Sequence, residues 1–161
     1  MKKMLLVVLI LALISVGSIF AQSGEGFIKS TFGFGHCQVM PDSGDNMDVN
    51  VFFADLDFVN SFGLTIGIQG VMLWGGDLDS AAGVTEIPIG IGYTFARDKW
   101  CVGGKIMAAG FLVGGGAKAF GFEVGGSYWF LSDLGVSTAF NMYFPEEVTV
   151  WVLRAGISIR L

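Results

Sequence analysis

Along most of the chain, large apolar residues recur at every second position. Lys118 to Phe130 shows this best. Phe120, Phe122, Val124, Tyr128 and Phe130 share one face with Gly126. Ala119, Gly121, Glu123, Gly125 and Ser127 share the other, which ends in Trp129. A period of two marks a strand with two unlike faces. A soluble strand turns its bulk toward a crowded core and its polar side toward water. Here the bulky face is apolar and aromatic throughout, whereas the other carries one carboxylate and almost no volume. That division fits lipid outside and a narrow polar space inside, the situation of a transmembrane barrel strand.

Seven further segments repeat the pattern. Phe27 to Cys37 sets Ile28, Phe32 and Phe34 against Lys29, Thr31, Gly33 and Gly35. Val49 to Phe58 sets Phe52, Ala54, Leu56 and Phe58 against Phe53, Asp55 and Asp57. Phe62 to Trp74 places Leu64, Ile66, Ile68 and Met72 opposite Gly63, Thr65, Gly67 and Gln69. Val84 to Phe95 turns Ile87, Ile89, Ile91 and Tyr93 outward and Glu86, Pro88, Gly90 and Gly92 inward. Pro88 lacks a ladder donor, which predicts a bulge or irregular pairing there. Trp100 to about Val113 alternates least, with Lys105 on the side of Cys101 and Gly103. Leu134 to Tyr143 and Val148 to Leu161 complete the set. The last opposes Trp151, Leu153, Ala155 and Ile157 to Arg154, Gly156, Ser158 and Arg160.

Strands of roughly ten residues match a tilted membrane strand, and bacterial barrels use even strand numbers. The connections after the second, fourth and sixth segments are tight, as periplasmic turns are; those after the first, third, fifth and seventh are mostly longer. The predicted fold is therefore all-β, an eight-stranded antiparallel up-and-down transmembrane barrel.

Side-chain distribution agrees. Eleven glycines fall on the inner faces: Gly33, Gly35, Gly63, Gly67, Gly90, Gly92, Gly103, Gly121, Gly125, Gly135 and Gly156. So small a barrel has room inside for little more than its own side chains. Eight charges also fall inside, four of each sign: Lys29, Asp55, Asp57, Glu86, Lys105, Glu123, Arg154 and Arg160. Facing hydrocarbon at mid-depth, an Arg or Lys would cost about 2–4 kcal/mol. Among outward aromatics, Phe58, Phe62, Phe95, Trp100 and Phe130 gather at the tight-turn end, and Trp74 and Trp151 toward the other. Two such bands are what membrane interfaces select.

Residues 1–21 read as a signal peptide: Lys2 and Lys3, the apolar run Met4 to Ile14, and a cleavage region from Ser18 to Ala21. The run is too short for a spanning helix, and no basic flank follows it. The barrel then occupies 22–161. Without Lys2 and Lys3 the remainder holds twice as many acidic as basic residues, which disfavours nucleic acid as a partner.

The alternating segments, the signal peptide and the interior charges around Lys105, Glu123 and Arg154 resemble the small bacterial outer-membrane barrels of the OmpA, OmpX and OmpW type. The likeness runs from about Gly26 to Leu161 and is architectural, without a diagnostic motif. It implies location in the bacterial outer membrane, contact with its lipid, and engagement by the outer-membrane assembly machinery during biogenesis. The family usually ends its last strand on an aromatic residue; this chain ends Ile157-Ser-Ile-Arg-Leu161.

The interior charges admit two readings. One is a gate whose ion pairs exchange partners; the other is a static network that satisfies a polar interior. The narrow cross-section favours the second. Lys105 and Glu123, near mid-height on neighbouring segments, form the first expected pair. Acidic residues in the outer connections (Asp42, Asp45, Asp48, Asp77, Asp79, Glu146, Glu147) suit calcium or plain solvation, and their spacing is not that of an EF-hand loop. His36, the sole histidine, has Ser43 as its nearest hydroxyl in the adjacent loop and no linking motif, so an interfacial role outranks a catalytic one. Cys37 and Cys101 fall at opposite ends of opposite walls, too far apart to bridge. The expectation is a non-enzymatic structural or surface-exposed outer-membrane protein with no metal or cofactor. The alternatives are a small pore or conduit for ions or apolar molecules and, further off, a soluble periplasmic carrier of a hydrophobic ligand.

Overall fold

The computed structural model describes residues 26–76, 85–86, 88–110, 118–145 and 148–161, with side chains for all of these except 85, 86, 109, 110 and 118. Among them are eight strands: β1 (Phe27–Pro41), β2 (Met47–Val59), β3 (Leu64–Trp74), β4 (Thr85–Glu86, resuming as Ile89–Ala96), β5 (Trp100–Gly110), β6 (Lys118–Trp129), β7 (Leu134–Phe144) and β8 (Val148–Arg160). Each pairs antiparallel with the next, and β1 pairs with β8, which closes the sheet.

Successive ladder partners can be followed once around, from Lys29 through Asp57, Gly67, Gly90, Met107, Gly121, Tyr143 and Val150. The walk returns to β1 at Val39, ten residues above its start. With eight strands, that stagger tilts each by roughly 43° and sets the backbone on a cylinder of radius about 8 Å. Side chains pointing inward must fill a space that narrow.

The alternation seen in the sequence becomes inside and outside. On β2, Val49, Val51, Phe53, Asp55 and Asp57 are buried, while Asn50 and Ala54 between them are exposed. Phe32, Phe34, Ile91, Ile106, Phe120, Val124 and Leu153 are all exposed. Bulk therefore lies on the outer surface, and Glu123 is buried.

Pro88 does not cause a bulge. Val71 pairs with Glu86 and Ile68 with Ile89, so the same register runs on both sides of it. The Gln69 N–H donates to the Pro88 carbonyl at 3.0 Å. The ring removes one donor from β4, and the strand keeps its count. Gly63 likewise belongs to a turn rather than an inner face. Its φ is +87°, and the turn is held by the Asn60 side-chain oxygen, which accepts from Phe62 N–H (3.0 Å) and Leu64 N–H (2.9 Å).

The interior differs between its two halves. Toward the end that carries residues 42–46, it is an apolar cluster of Cys37, Val49, Val51, Phe53, Met107, Ala119, Tyr143 and Val152, with Val39, Val71, Leu73 and Val150 against it. Among the described side chains, the expected polar interior occupies the other half.

Candidate functional site

Six of the eight expected interior charges form one chain of alternating sign. Lys29 Nζ lies 3.0 Å from Asp57 Oδ2, and Lys105 Nζ lies 2.6 Å from Asp57 Oδ1 and 2.9 Å from Glu123 Oε1. Arg154 continues it, with Nη2 2.7 Å from Glu123 Oε2 and Nη1 2.9 Å from Asp55 Oδ2. Register accounts for two of the contacts, since Lys29 faces Asp57 across β1–β2 and Lys105 faces Glu123 across β5–β6. The others cross the lumen: Lys105 reaches from β5 to β2, and Arg154 from β8 to both β2 and β6.

Three cations and three anions leave the chain neutral. Charges removed from water are tolerable when each has a close partner of opposite sign, and every member here has one. Gly67 makes room for the crossing. A Cβ there would run into Asp57 Oδ1 and sit 2.9 Å from Lys105 Nζ. Arg154 also lies over the Phe53 ring, 4.5 Å from its centre.

The polar set is wider than the charge pattern suggested. Asn141, fully buried, donates to Glu123 Oε2 at 3.0 Å and faces it across β6–β7. The Tyr143 hydroxyl donates to Gln69 Oε1 at 3.0 Å and marks where ions give way to the apolar cluster. Gln69 was already on an inner face by alternation. Asn141 and Tyr143 carry the same parity as Gly135, a signal that a search for charges alone passes over.

Two of the eight stand apart. Glu86 pairs with Val71 through its backbone, and its side chain lies outside the described residues. Arg160 faces inward but ends at the mouth beside the tight turns, over Phe27 (4.6 Å) and Trp129 (5.2 Å), with Nη1 3.4 Å from the Asp98 carbonyl. No carboxylate pairs with it among the described residues, because Asp57 is already held by Lys29 and Lys105. Trp129 is 1% exposed and meets Phe27 edge to face. These three side chains cluster at the mouth below the ion chain. Between them and the apolar half remains a cavity of about 30 Å³ beside Asp55, Asp57, Lys105 and Glu123, room for one or two waters.

On the outside, Phe62, Phe95, Trp100 and Phe130 are exposed at the tight-turn end. Trp74 and Trp151 are half-buried toward the other, Trp74 against Phe34 and Trp151 against His36 and Phe140. Phe58 departs from this set. It shares its rung with Ile28 and Ile66, and these two large neighbours leave the middle ring only 5% exposed. His36 is exposed on the outer face, its Nε2 3.2 Å from Asp48 Oδ1. Gln38 donates to the same oxygen and accepts from Trp151 Nε1, each at 3.1 Å. The group contains no hydroxyl nucleophile, and Ser43 is not part of it.

Cys37 on β1 and Cys101 on β5 are both buried, and no disulfide joins them. Among the described residues no three His, Cys, Asp or Glu side chains converge as a metal site. Asp77, Asp79, Glu146 and Glu147 lie outside the described residues.

In sequence, no family model and no curated protein matches the chain. Solved structures do. Ail, the attachment invasion locus protein of Yersinia pestis, superposes with a TM-score of 0.65 at 10% identity, over 85% of this chain and 99% of Ail. The fold is that of a small bacterial outer-membrane barrel. A second Ail structure, in complex with the heparin analogue sucrose octasulfate, gives 0.60 at 12% identity over 85% of this chain and 99% of that one. Neisserial surface protein A gives 0.55 at 12% identity, over 83% of this chain and 96% of that one. At such low identity the shared property is strand count and closure.

Proposed function

We propose that the chain is an integral outer-membrane barrel with a structural or surface role, neither conducting nor enzymatic. The observation that carries this reading is the filled lumen. Ion contacts of 2.6–2.9 Å cross it, apolar side chains pack one half, and Trp129, Phe27 and Arg160 cluster at the other mouth. A space for one or two waters is not a path for ions. The exposed apolar belt supports insertion in lipid. A soluble carrier would need the reverse, a greasy cavity inside and a polar coat.

The heparin analogue in one Ail structure does not suggest a similar ligand here. The outer connections hold Asp42, Asp45, Asp48, Asp77, Asp79, Glu146 and Glu147 and no Lys or Arg, so a polysulfated ligand meets like charge.

Planar-bilayer recording tests the reading. The purified barrel is expected to insert silently. Unitary steps that change in Glu123→Gln would establish the pore alternative, because that substitution removes a charge shared by Lys105 and Arg154.

A further inference from the structure

A cavity of about 380 Å³ lies at the tight-turn end, between the 60–63 turn and the 97–99 turn. Its lining comes from both surfaces of the wall. Arg160 reaches it from inside the mouth, whereas Phe62, Tyr93 and Phe95 belong to the outer face and are exposed. The cavity therefore wraps over the rim and opens both to the lumen mouth and to the apolar surface of the barrel. Gly63 keeps the rim thin: a Cβ there would lie 2.6 Å from the Thr94 carbonyl oxygen and 2.7 Å from the Tyr93 ring.

Two guanidiniums line this space. Arg97 is exposed and stacks on Phe95 at 5.0 Å. Arg160 is oriented by Phe27 and Trp129, and the one polar contact of its guanidinium among the described residues is the long one to the Asp98 carbonyl. Neither pairs with a carboxylate among the described residues. Both are thus held in place by aromatic rings with most of their donors unused, in a barrel whose other described interior cations are all neutralised.

We propose that this rim seats the phosphate of an anionic glycerophospholipid from the periplasmic leaflet. The phosphate accepts from Arg97 and Arg160, a fit that planar guanidinium forks suit. An acyl chain then runs along Phe62, Tyr93 and Phe95. The outer-face lining selects a lipid over a soluble anion, which would have no use for three exposed rings. The proposal rests on the membrane reading above, with the tight turns on the periplasmic side.

Native mass spectrometry of the full chain folded in detergent, with phosphatidylglycerol or phosphatidylcholine added, tests it. The expected result is one retained phosphatidylglycerol, favoured over phosphatidylcholine by at least about tenfold. Arg97→Gln and Arg160→Gln should each reduce that preference by several-fold while the folded gel band persists. Arg97 lies on an exposed turn, so its variant remains informative if Arg160→Gln fails to fold. Equal retention of the two lipids, or unchanged preference in Arg97→Gln, overturns the site and leaves the membrane reading standing. Displacement by millimolar inorganic phosphate alone also overturns it, in favour of a simple anion site. Retention of no lipid of either kind counts against both.

Discussion

Lys105 is the residue on which the ion chain turns. It is 7% exposed and bridges Asp57 and Glu123. Lys105→Met leaves two buried carboxylates short of a partner, for an expected loss of about 3–5 kcal/mol. Lys29→Met should cost only about 1 kcal/mol, because Lys29 is more exposed and Asp57 keeps Lys105. Urea unfolding of the refolded barrel in vesicles, read by gel mobility before and after boiling, separates the two. Parity along each strand placed both lysines indoors from sequence alone. What parity does not carry is height and reach. Arg160 has the right side but sits at the mouth, beyond any free carboxylate. Phe58 has the right side but is screened by its rung-mates, a matter of neighbours three strands wide.

At the scale of strands and turns, the tight connections do most to set register. Asn60 caps its turn by accepting two backbone N–H groups. Asn60→Ala is expected to lose about 1–2 kcal/mol, seen as faster unfolding in the same gel assay with the β2–β3 pairing otherwise intact. The strands themselves were legible because lipid and lumen make opposite demands of successive residues. The legibility fails where both sides are apolar. Val150, Trp151, Val152 and Leu153 show no contrast of polarity, so nothing in that run says that the two valines line a dry half-lumen. Pro88 misled for a related reason. A missing donor suggests a defect in the ladder, but its carbonyl still accepts from Gln69 and the spacing survives.

For the molecule as a whole, closure was foreseeable from strand count, and the ten-residue stagger from no local pattern, since it sums eight registers. One consequence of the ion chain concerns how the polypeptide can be divided. β1 to β4 contribute Lys29, Asp55 and Asp57, a surplus of one negative charge; β5 to β8 contribute Lys105, Glu123 and Arg154, a surplus of one positive. Each half is thus the counterion of the other, joined by the three residues 97–99. Cut there and expressed together, the fragments are expected to reassemble into a heat-modifiable complex, and either alone should remain unfolded. Charge reversal confined to one fragment, as in Lys105→Glu, should abolish that reunion.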